Sequence, residues 1–534
     1  MTTKTAHVDT FCRDLLPPPE LWPEMDYSGL PALAYPDRLN CAADLLDARV
    51  AAGDGDRPVF HFPGGTWTYR ELLETANRIA HVLVDDLGLV PGGRVLLRGF
   101  NGPTTAACWF AILKAGGIVV CTMPLLRSRE LAYQLDKARI GLVLTDARIR
   151  PEADQAAEGR TVRVVGFDEL EERMRSKPAG FDNCDTAADD IALLAFTSGT
   201  TGNAKGTIHF HRDVMAVCDC FPPCVLKPTR DDLFIGSSPF AFTYGLGGMV
   251  LFPIRIGAAA VLLEQGAPPQ LIRGIQDFKA TIVFTAPTAY RAMLPLLPQH
   301  DVSSLRACVS AGEHLPQATF ESWERATGLR IIDGIGSTEM LHIFISESGS
   351  GAKAGSTGRV VPGYQARIVD EDGNPLPPGS VGRLAVKGPT GCRYLDDPER
   401  QAGYVQNGWN LTGDSFSMDE EGYFWYQART DDMIISAGIN ISGVEVENVL
   451  LEHPKVLECG VVGVPDPERG HVVKAFLVLR PGNEGSPELI KELQDYVKSQ
   501  IAPYKYPRQI ELVEALPRTE TGKLQRFRLR ERES

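Results

Sequence analysis

The sequence has too few basic residues for a nucleic-acid surface and no apolar run at its start. Its 54 lysines and arginines are outnumbered by 68 acidic residues, so the net charge is −14, whereas nucleic-acid binding calls for a basic patch. Residues 1–20 hold no hydrophobic segment of a secretory signal. The eleven cysteines are odd in number and irregularly spaced, which argues against a disulfide framework. We expect a cytoplasmic protein that binds neither nucleic acid nor a membrane.

Two segments resemble familiar sites but have simpler explanations. The nearly apolar stretch 244–263 has the length of a membrane span, but Pro253 and Arg255 lie at its centre. A buried helix, a turn and a strand explain this stretch better. A second segment suggests a metal cluster, but its Cys-x-Cys-x-x-x-Cys spacing is not a usual zinc pattern, and buried cysteines behave as small hydrophobes. Its residues are His209, His211, Cys218, Cys220 and Cys224.

Alternating helix and strand patterns predict an α/β fold of several domains. A chain of 534 residues has room for about three to four domains. Strand and helix patterns alternate over residues 40–190 and continue beyond them, which is typical of parallel sheets covered by helices. We predict a large N-terminal domain of βαβ-layered sheets at 1–430, with a small β subdomain at about 359–430. A small α+β domain is predicted at 431–534.

Local signals fix several of these elements. Thr68 is expected to cap a helix, with Glu71 three residues on completing a capping box. A second helix is predicted at residues 104–115, ended by two glycines. Short apolar runs predict buried strands at 94–97, 118–120, 141–145, 191–196, 281–285 and 307–310.

Residues 197–206 predict a loop that binds an anion. They follow the strand predicted at 191–196 and precede a β-branched, aromatic run at 207–210. Glycines let backbone N–H groups approach an anion closely, and successive N–H groups form an anion-binding concavity. The hydroxyls add donors and the lysine adds a positive charge, so a polyphosphate is the simplest ligand. The predicted binding residues are Thr197, Ser198, Gly199, Thr200, Thr201, Gly202 and Lys205.

This loop differs from two better-known alternatives. The Walker pattern requires Gly-Lys followed at once by Ser or Thr, whereas Lys205 stands three residues after Gly202 and precedes Gly206. A flexible Ser/Gly linker would not be expected to lie between two strands. A P-loop ATPase and a linker are therefore both disfavoured.

The loop resembles the phosphate loop of the acyl-adenylate-forming superfamily, which comprises acyl- and aryl-CoA ligases, peptide-synthetase adenylation domains and luciferases. Residues that resemble its other motifs follow in order as far as Lys523. The resemblance implies that Thr338 contacts phosphate and that Glu339 binds Mg²⁺, for which oxygen ligands are suited. It places adenine against Gly312, Glu313 and His314. The remaining residues of the nucleotide motif are Asp333, Gly334, Ile335, Gly336 and Ser337.

Further residues receive their roles from the same resemblance. Asp414 occupies the ribose position, although Thr-Gly-Asp is also ordinary turn chemistry, and Arg429 would complete the ribose contacts. Asp431 would be the hinge of a mobile C-terminal domain. Gly438 would line the tunnel for the pantetheine arm of CoA. The superfamily often has proline where this chain has Gly443.

Lys523 is the catalytic cation that the resemblance implies. A carboxylate that attacks phosphorus brings two anions together, and a cation between them stabilises the charge that develops. The alternative is a solvated basic tail, because Arg526, Arg528 and Arg530 follow. The order of the motifs favours the catalytic interpretation.

The acyl pocket is expected between residues 239–245 and the segment after Glu339. Its aromatics and glycines suit a flat ring, and the segments resemble benzoate-CoA ligases and their aminobenzoate-activating relatives. Residues 207–213 and 435–438 look more like the 2-aminobenzoate group. For His342 a satisfied core histidine is an equal alternative. The implied lining residues are Phe242, Thr243, Tyr244, Gly336, His342 and Ile343.

The resemblance implies an aryl-CoA ligase that uses ATP, Mg²⁺ and CoA and forms an aryl-adenylate. The rivals are an adenylation enzyme that loads a carrier protein, a ligase for non-aromatic acids, a luciferase-like oxygenase and a non-catalytic ATP-binding protein. The oligomeric state stays open, with a homodimer as one option.

Overall fold

The computed structural model describes residues 4–197, 204–429, 432–436, 439–466, 469–501, 503–518 and 524–531. Within these ranges the strands are, in chain order, β1 (Pro58–Phe62), β2 (Gly65–Thr68), β3 (Arg94–Arg98), β4 (Ile118–Cys121), β5 (Leu142–Thr145), β6 (Arg163–Gly166), β7 (Ile191–Thr197), β8 (Lys205–Phe210), β9 (Leu233–Gly236), β10 (Ala259–Val261), β11 (Ile282–Thr285), β12 (Ala307–Ser310), β13 (Ile331–Gly336), β14 (Ile343–Ser346), β15 (Arg359–Val360), β16 (Gln365–Val369), β17 (Val381–Lys387), β18 (Val405–Gln406), β19 (Trp409–Met418), β20 (Phe424–Arg429), β21 (Ile434–Ser436), β22 (Ile439–Ile441), β23 (Val456–Asp466), β24 (Gly470–Leu479) and β25 (Gln509–Leu512).

The described α-helices connect and cover these strands. They are α1 (Phe11–Asp14), α2 (Tyr69–His81), α3 (Pro103–Lys114), α4 (Ser128–Lys137), α5 (Arg150–Ala157), α6 (Phe167–Met174), α7 (His211–Phe221), α8 (Thr243–Leu246), α9 (Phe252–Ile256), α10 (Pro268–Phe278), α11 (Pro287–Met293), α12 (Gln317–Thr327), α13 (Pro398–Tyr404), α14 (Gly443–Glu452), α15 (Pro487–Gln500) and α16 (Arg526–Glu531).

Two large sheets form the body of the protein. One has six strands in the order β6-β5-β3-β4-β7-β8, and the other has nine in the order β15-β14-β13-β12-β11-β9-β10-β1-β2. In the first sheet, the neighbouring strands of the run β6-β5-β3-β4-β7 pair in parallel. In the second, those of the run β13-β12-β11-β9-β10-β1 pair in parallel. Apolar side chains of both sheets and of α2, α3 and α7 belong to one buried core. The predicted α/β fold is confirmed.

Strands β1 and β2 belong to the nine-stranded sheet, and the sequence does not predict this pairing. Strand β1 pairs in parallel with β10, through Phe60 and Ala260. These partners are far apart in the chain, and pairing between distant segments leaves no local pattern in the sequence. The nine-stranded sheet therefore combines β1 and β2 with the later strands β9 to β15, rather than consecutive βαβ units alone.

The capping box, the helix and the six strands predicted from local sequence are all present in the structure. Thr68 accepts a hydrogen bond from the backbone N–H of Glu71, whose carboxylate accepts one from the backbone N–H of Thr68. This reciprocal arrangement is the predicted capping box at the start of α2. The helix predicted at 104–115 is α3, and the six strands predicted from apolar runs are β3, β4, β5, β7, β11 and β12.

Two smaller sheets follow along the chain. Strands β16, β17, β19, β18 and β20 form a five-stranded antiparallel sheet. The last hundred residues form another sheet, in which β25 pairs in parallel with β24 and the other pairs are antiparallel. Its own apolar core includes Val446, Val461 and Leu493.

The segments that resembled other sites are ordinary core. Residues 244–263 comprise helical turns and β10, and no helix in the described part of the chain is long and apolar enough to cross a membrane. All eleven cysteines are free thiols. Cys218 and Cys220 are buried on α7, and the described residues contain no group of three metal-capable side chains.

Candidate active site

Polar side chains lie side by side where β11 and β12 end and on the neighbouring strand β13 of the nine-stranded sheet. Thr285, the last residue of β11, pairs with Ser310 of β12, and Ser310 pairs with Asp333 of β13. Ligands of open α/β sheets bind beyond the carboxyl ends of such strands. The predicted nucleotide motif begins on β13 at this edge and continues to Glu339.

Tyr394 fixes the side chain of Glu339. The Tyr394 hydroxyl donates a hydrogen bond of 2.8 Å to Oε1 of Glu339, and the tyrosine is 1% exposed. The sequence analysis missed Tyr394, because it lies between β17 and α13 in no recognisable motif. The carboxylate predicted to bind the metal is therefore held by a buried donor.

Lys205 lies beside this pair. Its Nζ is 5.8 Å from the centre of the Tyr394 ring. Burial lowers the pKa of Lys205, Arg400 lowers it further, and Glu339 opposes both. Arg429 also lowers this pKa, so Lys205 lies within electrostatic range of residues predicted to bind the metal and the ribose. A partly desolvated ammonium group next to Arg400 is a suitable partner for a phosphate.

His209 holds the backbone of Thr338. Its Nε2 lies 2.7 Å from the carbonyl oxygen of Thr338. Burial lowers the pKa of His209 to about 4, so the ring is neutral near pH 7. A carbonyl accepts only, and Nε2 therefore carries the hydrogen. His209, for which the sequence analysis disfavoured a metal cluster, positions the peptide next to Glu339.

Asp414 and Arg429 form a cross-strand pair in the five-stranded sheet. They are register partners on β19 and β20, and Nη1 of Arg429 lies 2.9 Å from Oδ1 of Asp414. The Asp414 carboxylate raises the pKa of Arg429. The two residues predicted to hold ribose are therefore adjacent.

Asp333 presents a buried acceptor at the strand edge. Burial raises the pKa of its carboxyl group well above the usual range, and Oδ1 has no hydrogen-bond partner. Nearby, Gly312 adopts φ +97°, which favours glycine. Oε1 of Glu313 accepts a hydrogen bond of 2.9 Å from the backbone N–H of Thr288, which occupies this carboxylate at the start of α11.

The predicted acyl-pocket residues surround an aromatic cluster. The Tyr244 hydroxyl donates to the carbonyl oxygen of Val309 at 3.1 Å. His342 is 3% exposed, and its ring centre lies 4.5 Å from that of Phe252 and 5.7 Å from that of Tyr244. Burial lowers the pKa of His342 to about 3. His342 is thus a neutral buried ring within this cluster.

The remaining lining residues lie at the ends of short elements. Phe242 and Thr243 are half-buried at the start of α8. Ile343 of β14 pairs with Gly336. A Cβ at Gly336 would come within 2.6 Å of the carbonyl oxygen of His342, so the close approach of the two backbones requires glycine.

Several predicted residues lie outside the described ranges. The hairpin of β7 and β8 brings Thr197 opposite Lys205, and these two residues flank the predicted phosphate loop. The predicted residues outside the described ranges are Ser198, Gly199, Thr200, Thr201, Gly202, Asp431, Gly438 and Lys523.

Comparison with known proteins gives close matches over most of the chain. Residues 47–393 match the AMP-binding enzyme family, and residues 445–523 match the AMP-binding enzyme C-terminal domain. A benzoate–CoA ligase from Thauera aromatica is 36% identical over 95% of this chain and 98% of its own. The anthranilate CoA ligase AuaEII, solved with anthranoyl-AMP, is 34% identical with a TM-score of 0.90, covering 95% of this chain and 99% of its own. A benzoate CoA ligase from Burkholderia xenovorans LB400 is 33% identical with a TM-score of 0.86, covering 92% and 100%.

Proposed function

We propose that this chain, which belongs to the AMP-binding enzyme family, is an ATP-dependent ligase that joins an aromatic carboxylate to CoA. The carboxylate first displaces pyrophosphate from ATP and gives an aryl-adenylate, and the CoA thiol then displaces AMP. The observation that carries the proposal is that Lys205 lies 5.8 Å from the ring of Tyr394, whose hydroxyl binds Glu339. Arg429, which pairs with Asp414, also acts electrostatically on Lys205. Relatives that are named as benzoate– and anthranilate–CoA ligases support the same reaction.

The described residues offer a partner for each part of ATP. Asp333 offers a carboxyl group to the base, and Asp414 can accept from the ribose hydroxyls. Lys205 and the backbone at Thr338 suit the phosphates. Mg²⁺ is usually held by one or two carboxylates together with substrate phosphates, which matches Glu339 as a ligand. When bound, the ion would neutralise phosphate charge and orient the leaving group.

The two steps require the C-terminal part of the chain to move. We place the two domains at 1–430 and 431–534, with Asp431 as the hinge. Lys523 would serve adenylation, and Gly438 would line the CoA tunnel after rotation. Contacts between the two parts include His314 Nε2 with the Asn448 side chain at 3.3 Å and an Arg291–Glu458 ion pair at 3.4 Å. In the second contact both side chains are 26% exposed, so this ion pair is partly buried.

The aromatic acid is proposed to be 2-aminobenzoate or benzoate. The cluster of Tyr244, Phe252 and His342 supports a flat apolar slot, since aromatic rings favour stacked and edge contacts. The eleven free cysteines fit a reducing compartment, so we place the enzyme in the cytoplasm.

A substrate panel tests this proposal. AMP release would be measured with CoA and each of benzoate, 2-aminobenzoate, hydroxybenzoates, phenylacetate and medium-chain acids. We expect the highest kcat/KM for benzoate or 2-aminobenzoate. A preference for a medium-chain acid would instead favour a non-aromatic acyl-CoA ligase. Replacing CoA by a carrier protein in the same assay would detect another alternative, an enzyme that loads a carrier.

A further inference from the structure

A cavity of about 270 Å³ opens beside the residues that follow the phosphate loop. Its wall includes Tyr133 and Lys137 of α4, Lys205 at the start of β8, and Tyr394 and Arg400. At about 30 Å³ per water molecule, the cavity has room for a small polyatomic anion with part of its hydration shell.

The cavity wall is rich in positive charge. It carries Lys137, Lys205 and Arg400 against a single carboxylate, that of Asp397. Arg400 lies 3.5 Å from Asp397, and Lys137 Nζ lies 3.2 Å from Oδ2 of neighbouring Asp396. Two of the three cations thus have acidic partners, but these pairs are partly exposed and weak. Bidentate donors such as the Arg400 guanidinium suit phosphate oxygens.

The cavity and the candidate active site share the side chain of Tyr394. Tyr394 forms part of the cavity wall, and the hydroxyl of the same tyrosine binds Glu339. Lys205 is also shared, because it lines the cavity and its ammonium group interacts electrostatically with both Glu339 and Arg400. An anion that leaves the metal site past Lys205 would therefore meet Arg400 next.

We propose that this cavity receives the pyrophosphate that is released when the adenylate forms. The inference rests on the proposed function. A carboxylate oxygen bonds to the α-phosphorus, the bond from that phosphorus to the bridging oxygen breaks, and pyrophosphate leaves with the electron pair. Lys205 contacts the leaving group first, and Arg400 and Lys137 hold it beyond Tyr394. Binding here separates pyrophosphate from the adenylate.

The test measures the affinity for magnesium pyrophosphate directly. Isothermal titration of the full chain would be compared with Arg400→Ala, Lys137→Ala and the conservative Arg400→Lys. We expect each alanine variant to bind at least about tenfold more weakly, the size of one lost charge-assisted hydrogen bond, and Arg400→Lys to lose less. Product inhibition by pyrophosphate should weaken in parallel. Arg129→Ala is the matched control, because Arg129 is exposed on the same helix α4 and does not line the cavity.

Two results would overturn the inference. One is pyrophosphate affinity within about twofold of the parent in both alanine variants, given unchanged thermal unfolding. The other is an equal loss of affinity for a non-hydrolysable ATP analogue, which would assign these residues to the phosphates of bound ATP. Neither measurement depends on which acid is used. The pyrophosphate inference can therefore be refuted while the enzyme still forms aryl-CoA. Equally, a different acid or acceptor would leave the pyrophosphate result standing.

Discussion

The Tyr394 hydroxyl donates a 2.8 Å hydrogen bond to Oε1 of Glu339. Because Tyr394 is buried and its ring also faces Lys205, this bond fixes the carboxylate proposed to bind magnesium. A hydrogen bond to a charged group contributes about 1.5–3 kcal/mol. Tyr394 is thus a positioning residue for Glu339.

Tyr394→Phe should therefore lower the rate of adenylation by about tenfold or more. It should also raise the magnesium concentration needed for half-maximal rate. ATP–pyrophosphate exchange at varied magnesium concentration measures both. Tyr423→Phe is the control, because the Tyr423 ring packs under Lys353 and Arg359 instead. An unchanged magnesium dependence in Tyr394→Phe would show that the bond does not position a metal ligand.

Lys523→Ala should slow adenylation by on the order of a hundredfold, as expected for a lost transition-state donor. Thioester formation from preformed aryl-adenylate should persist, since Lys523 is proposed to act in the first step only. Rapid-quench measurement of each half-reaction separates the two. Arg528→Ala removes another cation from the same tail, where Arg528 is exposed, and should change neither. An equal loss in both half-reactions of Lys523→Ala would refute the assigned role.

Asp431→Pro should block thioester formation and spare adenylation, the reverse of what is expected for Lys523→Ala. Proline fixes φ near −65°, so a hinge at this residue could no longer change its dihedral angles. We expect adenylation to persist and thioester formation to be lost. Asp431→Ala keeps the backbone free and should retain both half-reactions. If Asp431→Pro transferred the acyl group to CoA at the parent rate, the hinge would have to lie elsewhere.

Asp213→Ala should cost about 3–5 kcal/mol of the free energy of unfolding, the usual effect of breaking a buried ion pair. Nη1 of Arg393 lies 3.1 Å from Oδ2 of Asp213, and both side chains are fully buried. The substitution would leave a guanidinium uncompensated against the Phe210 ring, 4.2 Å away. Urea unfolding measures the change.

The control for Asp213→Ala is Asp154→Ala. Asp154 pairs with Arg150 at 3.2 Å on the surface, one helical turn apart, where such pairs contribute about 0.5 kcal/mol. Equal losses in the two variants would mean that the buried pair is not a structural requirement.

Acid should destabilise the protein through three buried histidines, His209, His211 and His342, and through the partly buried His314. Burial lowers the pKa of His209 and His314 to about 4, and that of His211 and His342 to about 3, from 6.5. Below pH 6.5 the unfolded chain therefore binds more protons than the folded one, so the free energy of unfolding decreases as pH falls. Above pH 6.5 these groups contribute no pH dependence. Denaturant unfolding between about pH 8 and pH 4 measures the slope, which His209→Gln should reduce. An equal slope in that variant would contradict the assignment to His209.

Much of the fold follows from local sequence. The apolar run at 191–196 and the β-branched run at 207–210 are β7 and β8, and Thr68 with Glu71 caps α2. These features depend on neighbours within a few positions, so composition and spacing are enough to predict them. The order of the glycine-rich motifs predicted membership of the acyl-adenylate-forming superfamily, which the family match and the relatives confirm.

The groups that hold the candidate catalytic residues could not be predicted in this way. His209 lies 129 positions from Thr338 along the chain, and Tyr394 lies 55 positions from Glu339. The cysteine spacing near His209 argued against a metal cluster, but nothing in the sequence showed that its partner is the carbonyl of Thr338.

The sequence by itself determined the strands that arise from its apolar runs and the capping box of α2, because each is encoded by residues close together in the chain. The tertiary structure alone decided that β1 joins the nine-stranded sheet beside β10. It also decided that Tyr394 binds Glu339 and that Arg400 shares a cavity with Lys205. These contacts join segments distant in sequence, and packing of the whole core, rather than any local preference, brings them together.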